Sequence, residues 1–250
     1  MSQPPEPLPA ALPDDLVSRD GLGRLSIRQP RRGYRFSIDS VLLAFFAPQT
    51  AGPVADLGAG CGVLCLLLAA RGLAGPFTAL EIDPLAAACA RANFAAHGLA
   101  GAVLTADLAG PLPEPPAAGF GLIVSNPPFG RAGHGHIPPD PSRARARHEL
   151  ALTAADLWSA AARLLAPGGR FALCGDPRRL PELLAGLAGH GLAPRRLRLV
   201  HGRAGKPASL ALIEAVKGGG AELTVEPPLC IYAEGQSYSE EVAAMYRCLD

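Results

Sequence analysis

The chain has 250 residues, 49% hydrophobic and 18% charged, with 23 basic against 22 acidic side chains and a formal net charge of +1. That apolar content supplies a sizeable core and excludes a chain that is disordered throughout. The near-neutral balance excludes capture of nucleic acid by a global field, so any such binding must come from local patches.

In chain order, the first segment, 1–14 (MSQPPEPLPAALPD), is Pro-rich and has no basic or apolar stretch of a signal peptide. It is expected to be a disordered tail, with one domain over 15–250: a hairpin and helix over 15–50, then a sheet core over 51–250. Leu16 to Ile27 carries Gly21 and Gly23 between short apolar stretches and reads as a hairpin. Ser37 to Ala47 reads as a helix with Ser37 as N-cap. From Pro53 strands and helices alternate. Strands are predicted at Val54–Leu57, Phe77–Ile82, Ala102–Thr105, Phe120–Ser125 and Arg170–Cys174, with helices at Val63–Arg71, Pro84–His97, Leu152–Leu165 and Pro181–His190. Two last strands, Arg195–His201 and Ser209–Val216, have no helix between them and should pair antiparallel. The pattern predicts an α/β fold: a doubly wound, mostly parallel sheet covered on both faces, with an antiparallel addition at one edge.

The six cysteines form no CxxC pair, and Cys65, Cys89 and Cys174 sit in apolar runs. Reduced, buried thiols in a cytoplasmic protein are the expectation. No apolar run is long enough to span a bilayer. His134-x-His136 has no evident third ligand, so no metal is expected.

Asp56-Leu57-Gly58-Ala59-Gly60-Cys61-Gly62 stands between a predicted strand and helix, where open parallel sheets bind ligands. Val63 occupies the place of the third Gly of GxGxxG, and Asp56 would repel a pyrophosphate but favour a cation. Glu81 ends the second strand and can accept from ribose hydroxyls, and Asp107 ends the third and can accept from an adenine amine. S-adenosylmethionine has a ribose, an adenine, a cationic sulfur and no phosphate. On Asp56, Gly58, Gly60 and Glu81 the chain resembles the class I S-adenosylmethionine-dependent methyltransferases over about 50–216. The resemblance implies a seven-stranded Rossmann-like sheet, with the Gly loop against the methionine part and Glu81 on the ribose.

Asn126-Pro127-Pro128-Phe129 ends the fourth strand. The prolines fix the backbone and remove donors. The Pro127 carbonyl and the Asn126 amide oxygen can then converge on the two hydrogens of an amine, and Phe129 can stack on the ring that carries it. The motif resembles the (D/N)PP(Y/F) turn of amino-methyltransferases acting on adenine, cytosine, guanine or glutamine nitrogen.

With NPPF, the stretches Gly33–Leu43, Arg143–Glu149, Gly202–Val216, Ile231-Tyr232 and Tyr238–Glu241 resemble the bacterial tRNA1(Val) (adenine(37)-N6)-methyltransferase family over about 15–247. That implies methyl transfer to an adenine N6 in a tRNA anticodon loop, with Phe36, Ser37 and Asp39 approaching the cofactor. Basic clusters fit an RNA partner: Arg28, Arg31, Arg32 and Arg35; Arg143, Arg145 and Arg147; and Arg195, Arg196, Arg198, Arg203 and Lys206. Other readings are methylation of rRNA guanine N2 or of a protein glutamine, or a non-catalytic RNA-binding factor on the same scaffold. A monomer is expected.

Overall fold

A computed structural model of the chain describes residues 12, 14–33, 35–127, 153–220 and 222–250. The Pro-rich segment 1–11, Phe129, the histidines at 134, 136 and 148, and Arg143, Arg145 and Arg147 lie outside the described residues.

The expected hairpin is β1 (Val17–Leu22) and β2 (Leu25–Pro30), paired antiparallel from Val17↔Pro30 to Leu22↔Leu25. Its turn is drawn tight by a contact with the far end of the chain. The Leu249 carbonyl accepts from Arg24 N–H at 2.8 Å, and a Cβ on Gly23 would stand 2.3 Å from that oxygen. Only glycine fits there. α1 (Ile38–Phe46) follows, with the Ser37 hydroxyl capping it by accepting from Asp39 N–H.

The main sheet uses β3 (Val54–Leu57), β4 (Phe77–Glu81), β5 (Gly101–Thr105), β6 (Phe120–Ser125), β7 (Leu165–Gly175), β8 (Leu192–His201) and β9 (Ala208–Lys217). Two short strands, β10 (Thr224–Val225) and β11 (Leu229–Cys230), pair with β8. The order is β10-β8-β9-β7-β6-β3-β4-β5. β3 through β7 run parallel, and β9 runs antiparallel to both β7 and β8 between them. The expected antiparallel addition is therefore β9, slotted into the β7–β8 half of the sheet.

Helices cover both faces: α2 (Val63–Ala70), α3 (Pro84–Ala96), α4 (Ala154–Leu164), α5 (Leu180–Gly189) and α6 (Glu240–Arg247). Alternate side chains of each strand enter opposite cores. Leu122, Val124, Ala172 and Leu212 join the core of α1, α2 and α6, while Ile123, Phe171 and Ile213 join that of α4 and α5. Such two-sided burial gives the near-continuous apolar runs seen in the sequence. α3 opens with Pro84 behind an Asp83 cap, and α4 has a capping box of Thr153 and Asp156. No helix among the described residues is long and apolar enough to cross a membrane.

Candidate active site

The carboxyl ends of β3, β4 and β6 meet where the chain leaves the sheet for its helices. After β3 the backbone turns through Gly58, Gly60 and Gly62, each at positive φ. The amides of Gly58 and Ala59 donate to the Leu80 carbonyl at 2.9 and 3.0 Å, which ties the loop to β4. A Cβ on Gly58 or Gly60 would meet nothing within 4 Å, so both present bare backbone to open space. Gly62 differs: a Cβ there would lie 3.0 Å from the Phe94 ring and 3.2 Å from Ala90. The third glycine brings α2 against α3 and leaves the ligand side to the other two.

Glu81 clamps the loop from β4. Its Oε2 accepts from Gly60 N–H at 2.7 Å and its Oε1 from Asp83 N–H at 2.8 Å. A carboxylate has about four lone-pair positions, so two backbone donors leave capacity for a pair of hydroxyls. Asp56 lies beneath the loop, wholly buried, and neither carboxylate oxygen has a hydrogen-bond partner. Burial, and secondarily the Glu81 charge, push its carboxyl well above the usual carboxylate range. Asp107 stands two residues beyond β5, exposed, with Oδ1 accepting from Ala109 N–H at 2.9 Å.

A pocket opens in front of the Gly loop, and its wall includes Pro30, Phe36, Ser40, Gly58, Gly60 and Asn126. Phe36 is held there by the hairpin: its N–H donates to Gln29 Oε1 at 3.1 Å, and Gln29 Nε2 donates to Asp20 at 2.9 Å. Asp39 is buried in the first turn of α1. Asn126 follows β6 directly, and Pro127 beside it is buried. Asn126 Nδ2 donates to Ser40 Oγ at 3.2 Å, and its Oδ1 accepts from Cys174 Sγ at 2.8 Å. The structure thus brings Phe36, Gly58, Gly60 and Asn126 to one pocket, places Glu81 and Asp56 behind its loop, and leaves Asp107 outside its wall. Ser40 and Cys174 went unnoticed as site residues, because an isolated Ser in a helix and a Cys in an apolar run carry no sequence signal.

Among the described residues, three of the anticipated basic side chains are tied up in ion pairs within the fold. Arg35 makes a two-pronged ion pair with Asp20 at 2.9 and 3.0 Å. Arg196 bridges Glu214 and Glu226, and Arg198 pairs with Glu241. Arg31 is exposed, with Nε donating to the Asp14 carbonyl, and Arg32 is exposed. Lys206 is exposed in the β8–β9 turn.

Residues 38–179 match the family model "Methyltransferase small domain". A tRNA1(Val) (adenine(37)-N6)-methyltransferase of Aeromonas hydrophila is 35% identical over 212 residues, covering 84% of this chain and 87% of the relative. One from Porphyromonas gingivalis is 37% identical over 195 residues, covering 74% of each. The chain belongs to the tRNA1(Val) (adenine(37)-N6)-methyltransferase family. A solved structure of a predicted O-methyltransferase from Agrobacterium tumefaciens superposes with a TM-score of 0.67 at 25% identity, over 84% of this chain and 96% of that one. The Thermus thermophilus 16S rRNA N2 G1207 methyltransferase, solved with AdoMet and guanosine, superposes at 0.53 with 24% identity, over 80% of this chain and 50% of that one, and shares the fold. In this family member the methyltransferase-domain match runs from α1, across the Gly loop and Asn126, to the turn after β7.

The pocket suits S-adenosylmethionine on two independent grounds. Bare Gly58 and Gly60 backbone faces it. Behind that backbone lies an unpartnered buried carboxylate, Asp56, which a cationic ligand stabilises in its charged form.

Proposed function

We propose that this protein methylates the N6 amine of adenine 37 in tRNA1(Val), using S-adenosylmethionine. The observation that carries the reading is that Asn126, at the exit of β6, shares one pocket wall with Gly58 and Gly60. An amine-holding turn and a cofactor loop would then line one and the same pocket. The names of the Aeromonas and Porphyromonas relatives support the substrate. The reading makes the protein a cytoplasmic monomer that needs no metal.

S-adenosylmethionine supplies a methyl carbon made electrophilic by the positive sulfur that carries it. The Gly58–Gly60 backbone admits it closely, Glu81 accepts from its ribose hydroxyls, and Asp107 accepts from its adenine amine. Phe36, Asp39 and Asp56 complete the cofactor side. Asn126 Oδ1 and the Pro127 carbonyl accept the two hydrogens of the target amine, and Phe129 stacks on the target base. Holding both hydrogens draws the nitrogen lone pair out of the ring system and aims it at the methyl carbon. The extra proton that methylation would leave on the nitrogen would pass to solvent from between the Asn126 and Pro127 acceptors. The gain is mainly orientation, on the order of several kcal/mol. Arg31, Arg32 and Lys206, with Arg143, Arg145 and Arg147, neutralise tRNA phosphates, and Arg35 supports them by fixing the hairpin through Asp20.

The test is incubation with labelled S-adenosylmethionine and unmodified tRNA or rRNA, followed by nucleoside mapping. Label at N6-methyladenosine 37 of tRNA1(Val) is expected. Label on rRNA guanine, or none on any RNA despite cofactor binding, rejects the assignment.

A further inference from the structure

Asn126 is gripped at both ends of its amide by two elements other than its own. Ser40 of α1 accepts from Nδ2 at 3.2 Å, and Cys174 of β7 donates to Oδ1 at 2.8 Å. Both partners are buried, each 2% exposed.

We propose that Cys174 and Ser40 are positioning residues for methyl transfer, fixing which end of the Asn126 amide carries the acceptor. The proposal rests on the reading of Asn126 as the residue that holds the substrate amine. The terminal torsion of an Asn side chain is soft and close to two-fold, so an unheld amide exchanges its oxygen and nitrogen at little cost. An amide turned the wrong way offers N–H to an amine that needs an acceptor. The two partners remove that ambiguity by being chemically unequal. A hydroxyl takes an amide N–H well, whereas a thiol sulfur is a weak acceptor and would leave a buried N–H poorly met. Nitrogen therefore faces Ser40 and oxygen faces Cys174. The thiol is also a weak donor, so it orients the oxygen without competing strongly against the N–H of an incoming amine.

The ordinary role for Cys174, a small core side chain, makes the opposite forecast for one substitution. In an apolar core Ser is worse than Ala, because it buries a hydroxyl. In an orienting role Ser is better than Ala, because it keeps a donor on Oδ1. The experiment measures kcat, KM for tRNA and S-adenosylmethionine affinity for C174A, C174S and S40A in the full chain, with single-turnover rates for N126A and N126A/C174A. C174A is expected to lower kcat about tenfold through a misaligned amide, with cofactor affinity within about twofold. C174S should return kcat to within about threefold of the parent, S40A should fall as C174A does, and C174A should add nothing once Asn126 is gone. An unchanged kcat in C174A, a C174S slower than C174A, or a further drop in the N126A background overturns the proposal. N126A turning over at the parental rate removes the role of Asn126 and this proposal together. An inactive N126A beside a fully active C174A removes this proposal alone. Should C174A fail to fold, S40A measured with and without N126A decides.

Discussion

Glu81 shows how much of the site a single side chain can organise. Its two oxygens join the Gly60 turn to the start of α3 before any ligand arrives. Glu81→Ala should therefore weaken S-adenosylmethionine binding by tenfold or more, because it removes the brace of the loop, about 1 kcal/mol for each bond lost, together with the proposed ribose acceptor. Calorimetric titration reads this directly, and an unchanged affinity counts against the ribose role. Asp56 carries a pH signature. Its folded-state carboxyl titrates well above the unfolded value, so the folded form keeps a proton that the unfolded chain gives up. The stability this contributes is fully present below about pH 3.9 and is lost as pH rises toward the folded value. Melting curves of the ligand-free protein should lose Tm on going from pH 5 to pH 8, and Asp56→Asn should flatten that slope. An equal slope in both proteins means Asp56 is charged in the folded state.

At the scale of elements, the sequence was most legible where physics was least divided. β3 and β6 are short and mostly apolar, β3 set between Pro53 and Gly58 and β6 opening after Gly119, and they fall where expected. The α3 boundary was readable from Pro84 itself, whose missing N–H costs least at a helix start, and the Gly loop from its spacing. β7 begins five residues earlier than expected, at Leu165, since its first pairing partner Phe120 lies across a register shift that no local pattern encodes. α6 escaped notice because only Val242 and Met245 of its eight residues are buried, too few to set a period. β10 and β11 exist only through pairing with β8. Within the site, residues that act through backbone geometry were visible, while Ser40 and Cys174 matter through distances that arise only in the folded chain. Gly62 offers a test at this scale. Its φ of +76° and the Phe94 ring 3.0 Å from an added Cβ make Gly62→Ala both strained and crowded. A loss of roughly 1–3 kcal/mol in thermal or urea unfolding is expected. A parental Tm would show that α2 and α3 can part without cost.

Across the whole molecule, the arginines illustrate the limit of reading charge from composition. The chain holds 21 of them, yet Arg35, Arg196 and Arg198 spend their charge on Asp20, Glu214, Glu226 and Glu241. In a sequence an arginine at a surface and one locked to a carboxylate look alike. The exposed Lys206 sits on the turn beyond the carboxyl end of β8, the side of the sheet that also carries Asn126. Replacing Arg31, Arg32 and Lys206 together by Ala should raise KM for tRNA several-fold and reduce its salt dependence, leaving kcat and cofactor affinity near the parental values. A KM and salt slope like the parent's would assign RNA contact to other residues.

The bond from Arg24 to the Leu249 carbonyl makes the molecule a closed circuit. The penultimate residue, itself fully buried, latches the hairpin whose Gln29 and Pro30 hold one wall of the pocket. Trimming the last two residues should consequently behave as an injury to methyl-donor binding from the opposite end of the polypeptide, with weaker calorimetric affinity and faster protease cleavage near Gly23. A trimmed protein that binds the donor normally would show that the latch is ornamental.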